Sequence, residues 1–183
     1  MNLNDWYARG ISTEEYTKDL DKHKEGFYTI YDQFKVPEVD IEKLQEKSNL
    51  RVIALAEVWC GHCMMDIPIL LRMLEKANIP IRFLPRDQHL ELMDQYLTNG
   101  KRFIPIFIFI DEAGNEVTKW GPMAPEIEKF VNDLKATLPE KDSPEYEDAW
   151  KKVIQQTGQA FTTDANKWQA VYEDILEKIV QAS

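Results

Sequence analysis

Apolar positions change their spacing twice along this chain, and each change marks a change of structure. Up to residue 49 they recur three or four apart, so that Phe27, Ile30, Tyr31 and Phe34 fall on one helical face. Ser12, with Glu15 three positions later, has the form of a capping box opening a helix that runs to about Lys22. Pro37 should stop the second helix near Lys35, and Asp40 is placed to cap a third short helix carrying Ile41 and Leu44.

At Leu50 the pattern becomes mixed. Arg51 to Val58 is a nearly continuous apolar run of strand length, as expected of a central strand covered on both faces. Trp59-Cys60-Gly61-His62-Cys63 follows directly. Ile67, Leu70, Leu71 and Leu74 then sit at helical spacing as far as Asn78, and Ile81 to Leu84 reads as a second strand, completing a βαβ unit. A helix from about Leu90 to Leu97 ends at Asn99-Gly100. Phe103 to Ile110 is β-forming around Pro105, Asp111 to Asn115 turns the chain, and Glu116 to Trp120 returns as a hairpin arm. Ile127, Phe130, Val131 and Leu134 mark the helix that follows. The order βαβ, helix, ββα predicts an α/β fold on a central mixed sheet.

Beyond Pro139 the spacing is helical again, with Ser143-Pro144 opening one helix and Thr163 or Asp164 another that reaches about Gln181. The expected organisation is an N-terminal helical extension (1–49) packed on a core domain (50–138), followed by a C-terminal helical extension (139–183).

Composition narrows the function. At 183 residues with 44% hydrophobic and 30% charged positions, the chain is an ordinary globular one and not a disordered one. Its net charge of -10 excludes binding to nucleic acid or an anionic membrane through overall positive charge. No stretch approaches the roughly 18 apolar residues of a membrane span, and the first residues show no basic segment followed by an apolar run. A cytoplasmic location is therefore expected. The charge is uneven: 11 acids oppose 7 bases in 1–49, 12 oppose 10 in 50–138, and 9 oppose 5 in 139–183. The core domain is thus nearly neutral and need not repel an anionic disulfide.

The only two cysteines, Cys60 and Cys63, are three positions apart. So small a loop constrains the unfolded chain little, which makes structural stapling a poor explanation for them. At the first turn of a helix, however, the sulfur of Cys60 meets free backbone N–H groups and the positive end of the helix dipole, which favour thiolate. Cys60 is then the nucleophile that attacks a disulfide, and the deeper Cys63 resolves the mixed disulfide. His62, and Gly61 with it, occupies the positions that tune the pair, through imidazole charge or hydrogen bonding to the Cys60 thiolate. Two other readings stand beside this one: a client-binding or redox-sensing module with little turnover, and a zinc-binding adaptor that would need His23 or His89 as further ligands.

The segment resembles thioredoxin, with the Cys-Gly-His-Cys active site of protein disulfide isomerase domains, over about Leu50 to Leu138. Trp59 before the first cysteine, Pro68 in the following helix, Ile104-Pro105 and Gly121 agree with the family pattern. The resemblance implies a thioredoxin fold with additional N- and C-terminal helices and a cis Pro105 facing the sulfurs. It also implies a substrate groove formed by Trp59, Ile104, Pro105 and Gly121. A cis proline has no N–H and turns its predecessor outward, which would let Ile104 offer its backbone to an extended substrate while Pro105 discourages a metal from binding the sulfurs. Disulfide-containing proteins or small thiols are the implied substrates, with no bound cofactor. Electrons would come from a separate reductase or thiol, since no nucleotide-binding glycine motif is present. The family's buried acid and its lysine partner fall at Ala54 and Phe83, so both charges are lost together, and Glu57 is the candidate replacement proton acceptor. Arg86, Lys101 and Arg102 are expected on the rim of the site, as solvated charges or as a docking patch for an anionic partner.

Overall fold

The computed structural model describes residues 2–182. Its centre is a four-stranded mixed sheet in the order β2-β1-β3-β4, made of β1 (Arg51–Ala56), β2 (Ile81–Pro85), β3 (Ile106–Ile110) and β4 (Glu116–Trp120). β1 runs parallel to β2 and antiparallel to β3, which makes a hairpin with β4. Both central strands are buried on two faces, and this accounts for their unbroken apolar runs. β4, at an edge, is exposed or half-exposed until Trp120, its one buried residue. The free edge of β2 is covered by the N-terminal segment: Ile11 and Phe83 exchange two backbone hydrogen bonds, each 2.9 Å.

Helix α5 (Gly61–Ala77) carries the redox motif at its start and ends on Asn78, which takes the left-handed conformation (φ 55°) of a helix stop. It is apolar nearly all round, from Met64 and Met65 to Leu71 and Leu74. Such a helix must be covered on its outer face as well as on the sheet side. The extensions supply that cover: α3 (Lys24–Gln33), α4 (Glu38–Gln45), α8 (Tyr146–Thr163) and α9 (Ala165–Gln181) pack around it. α3 comes closest at Gly26, where a Cβ would stand 2.6 Å from the sulfur of Met64. α9 joins both ends of the chain to the sheet. Tyr172 donates to Asp40 of α4 at 2.6 Å, and Trp120 at the end of β4 donates to Asp174 at 2.6 Å. One continuous apolar core runs from Leu3 to Ile179.

Four local expectations shift. The helix capped by Ser12 does have its capping box, but α2 (Thr13–Thr17) is short, because Asp21 takes a positive φ of 48° and the chain restarts as a 3-10 turn before α3. Asp40 lies inside the first turn of α4 rather than capping it, and is buried between Tyr172 and Lys43. α6 (Leu90–Met93) is a single turn. β3 begins only after Pro105, which cannot donate to the ladder. α1 (Leu3–Arg9) and α7 (Pro125–Lys135) complete the helices.

Candidate functional site

β1 ends at Ala56, and the turn that follows closes with a hydrogen bond from the Cys60 N–H to the Glu57 carbonyl at 3.2 Å. Cys60 is the N-cap of α5: its sulfur accepts the Cys63 N–H at 3.1 Å and lies 3.8 Å from the Ile104 carbonyl. Both cysteines are free thiols. Cys60 keeps 7% of its surface and Cys63 none, so approach to the pair is through Cys60. The electrostatics separate them in the same sense. The Cys60 thiol is pulled below its usual range, first by its hydrogen bond with Cys63 and then, against the opposing effect of burial, by the N–H groups of Cys63 and His62 and the charge of Arg86. Burial first, and then the neighbouring Cys60, push the Cys63 thiol up.

The Ile104–Pro105 peptide is cis, as is Gly121–Pro122, and the first faces the Cys60 sulfur through the Ile104 carbonyl. Gly121 has a φ of 126°, and a Cβ there would stand 2.2 Å from the Pro105 carbonyl oxygen. Only glycine permits this close approach of the two loops. Trp59 is 49% exposed beside Cys60, with the Arg86 guanidinium 4.9 Å from its ring centre and its carbonyl accepting from His23 Nε2 at 3.0 Å. Trp59 adjoins Cys60 in the chain, the Ile104 carbonyl lies near its sulfur, and Gly121 packs against Pro105, while Pro68 lies inside α5, about two turns on from Cys60.

His62 differs from expectation. Its ring packs against Phe161 of α8 with centroids 5.1 Å apart, Nδ1 is buried without a hydrogen-bond partner, and burial followed by the charge of Lys135 lowers its pKa to about 4. A neutral imidazole wedged against an aromatic ring gives the thiolate no positive charge, and it is the backbone N–H of His62 that assists Cys60. The basic rim is also largely neutralised: Arg102 makes a two-point contact with Asp94 at 2.7 and 3.0 Å, and Arg86 pairs with Asp87 at 3.0 Å. Lys101 lies over Phe103.

The space left by the family's missing ion pair is filled with rings. Ala54 and Phe83 are register partners on β1 and β2, and Tyr16 of the N-terminal extension stacks on Phe83 at 4.4 Å. Glu57 turns its carboxylate to the Asp87 N–H at 2.9 Å, holding the loop after β2. The acid buried near the thiols is Asp66, one helical turn beyond Cys63 and 1% exposed, with neither oxygen meeting a hydrogen-bond donor. Burial, and after it the charge of Cys60, pushes its carboxyl well above the usual range. Sequence reading missed both groups. Asp66 left a signal, a charge inside the apolar run Met64-Met65-Asp66-Ile67; Tyr16 left none, because only the tertiary fold brings α2 to β2.

Among the described residues no three His, Cys, Asp or Glu side chains come together as a metal site, and no helix is long and apolar enough to cross a membrane. His89 makes an edge contact with Trp6, away from the cysteines.

A mixed sheet with a thiol pair at the start of a core helix, facing a cis proline, defines a thioredoxin-like redox module. The chain belongs to the thioredoxin family, whose model matches residues 10–135 and so takes in helices before Leu50 as well as the motif. Comparison with curated proteins gives no match. Two solved structures share the fold at low identity. A protein of unknown function from Pseudomonas aeruginosa is 16% identical with a TM-score of 0.67, over 98% of this chain and 97% of that one. An HIV epitope scaffold is 15% identical with a TM-score of 0.68, over the full length of both. The likeness covers the helical additions together with the sheet.

Proposed function

We propose that this protein is a thiol–disulfide oxidoreductase that reduces or isomerises protein disulfides. The observation that carries this reading is the asymmetry of the pair: a Cys60 sulfur held at a helix N-terminus by the Cys63 N–H at 3.1 Å, with the Cys63 thiol wholly buried behind it. The Cys60 thiolate attacks one substrate sulfur, forms a mixed disulfide and expels the other sulfur as a thiolate. Cys63 then loses its proton and attacks the Cys60 sulfur, releasing the second substrate thiol and leaving a Cys60–Cys63 disulfide. Two electrons pass to the substrate, and a separate reductase or low-molecular-weight thiol in a reducing cytoplasm returns them. Asp66, a buried carboxyl one turn from Cys63 with a raised pKa, is the group suited to take the resolving thiol's proton, and does so from its ionised form.

A second reading, a client-binding module whose cysteines sense redox state with little turnover, draws support from the 7% exposure of Cys60. Reduction of insulin, driven by excess dithiol, separates the two. The oxidoreductase reading requires turnover in the wild type, its loss in Cys60→Ser, and trapped mixed disulfides in Cys63→Ser. A wild type that forms and loses its own disulfide but turns over no substrate overturns it in favour of the sensor.

A further inference from the structure

Beside the redox loop lies a cavity of about 530 Å³ that the core domain does not make alone. Trp59, His62 and Met64 form one wall; Val153, Ile154 and Phe161 of α8 form the other, with α3 and α7 closing the ends. Its volume falls within the range of ligand-binding clefts, roughly 300–1,000 Å³. Two large apolar side chains remain exposed on opposite lips, Trp59 at 49% and Ile154 at 55%. Exposed apolar surface facing across one concavity marks a binding site better than scattered exposure does.

The charges at the mouth run against the rest of the chain. Lys22 and Lys135 stand there against a single acid, Glu25, and none of the three forms an ion pair among the described residues. Two cations against one anion leave a local excess of one positive charge on a molecule of net charge -10. The lysine field reaches the interior, since Lys135 contributes to keeping His62 neutral. Trp59 and Gly61, the chain neighbours of Cys60, both line the cavity, which puts it next to the residue that carries the nucleophilic thiol.

Building on the oxidoreductase reading, we infer that this cavity selects protein disulfides by seating a bulky apolar side chain with an acidic residue next to it, both adjacent to the substrate cysteine. The apolar group lies between Trp59 and Ile154, and the carboxylate faces Lys22 and Lys135. Electrons follow the exchange already described: the peptide disulfide is reduced to two thiols while Cys60 and Cys63 are oxidised, and added dithiothreitol reduces them again.

The test uses synthetic peptides in which cysteine, held as a mixed disulfide, is flanked by Phe-Glu, Ser-Glu or Phe-Lys, with the pair placed on either side of it. Reduction by the full-length protein gives kcat/KM, and tryptophan fluorescence of the Cys60→Ser variant gives Kd without covalent chemistry. Phe-Glu should exceed Ser-Glu by about tenfold or more in both readouts, the scale of an apolar pocket contact. Ile154→Asp, at an exposed position, should shrink that ratio to about threefold or less, and Lys22→Glu with Lys135→Glu should put Phe-Lys above Phe-Glu. The exposed Val39→Ser variant on α4 should keep the wild-type ranking. Equal Kd and equal kcat/KM for the three peptides, or a ranking unmoved by Ile154→Asp, overturns the selecting cavity. Discrimination in Kd without any turnover instead upholds the cavity and removes the oxidoreductase reading.

Discussion

Replacing Asp66 with asparagine tests whether a carboxyl buried beside the thiols holds its proton. Its carboxyl is 1% exposed, and neither oxygen has a hydrogen-bond partner, so burial favours the protonated form and raises the pKa well above the reference value of 3.8. The folded protein therefore retains a proton at pH values where the unfolded chain has lost it. Stability from this group is complete below the unfolded pKa and falls as pH rises, by about 1.4 kcal/mol per pH unit, until the folded pKa is passed. Between about pH 5 and about pH 7 the wild type should lose up to about 2.7 kcal/mol that the Asp66→Asn variant does not. His62 works in the opposite sense. Its pKa falls from 6.5 to about 4, so its stabilisation is present above the unfolded pKa and is lost as pH falls toward the folded one. It is present in both proteins and cancels in the difference. Urea unfolding of the reduced proteins at the two pH values measures that difference directly. A pH dependence in Asp66→Asn that matches the wild type within about 0.5 kcal/mol would refute the raised pKa of the buried carboxyl.

Other consequences are simpler to measure. Iodoacetamide at neutral pH should modify Cys60 with an apparent pKa below that of a free thiol and leave Cys63 unmodified until the protein unfolds; equal labelling of both thiols by mass spectrometry would contradict their asymmetry. Gly121→Ala places a Cβ 2.2 Å from the Pro105 oxygen at a φ of 126°, and a loss of about 2 kcal/mol or more is expected in denaturant unfolding. Tyr172→Phe removes the 2.6 Å hydrogen bond to Asp40 and should cost about 1.5–3 kcal/mol, with most of that cost vanishing when Asp40→Asn is already present. Because that hydrogen bond is the largest factor holding the Asp40 carboxyl down, its stabilisation is lost as pH falls toward the folded pKa, and Tyr172→Phe should flatten the acid limb of the stability curve.

Some features were legible in the sequence because they are local. The strand Arg51–Ala56, the helix beginning at the cysteine pair and its stop at Asn78 each follow from a few adjacent residues whose backbone preferences and apolar spacing agree. The redox pair was legible for the same reason, since a helix N-terminus and two thiols one turn apart are set by sequence separation alone. Even so, local signals overran where tertiary contacts intervened. The strand expected from Phe103 waits for the residue after Pro105, and Asp40 gives up a cap for the Tyr172 hydroxyl, 132 residues away in sequence.

What only the tertiary structure decided concerns groups brought together from distant parts of the chain. The sequence placed His62 between two cysteines, but the direction of its ring depends on Phe161, nearly a hundred residues later, which draws it into an apolar contact where it is neutral. Ala54 and Phe83 implied a missing ion pair; that Tyr16 fills the gap follows from an N-terminal segment adding to the edge of β2. Asp66 was visible as a residue and invisible as a buried acid, because α5 becomes a fully covered helix only when α3, α4, α8 and α9 close around it. Local backbone preference fixes where a thiol begins a helix. The protonation states around it depend on desolvation and on charges several ångströms away, and those exist only once the chain has packed.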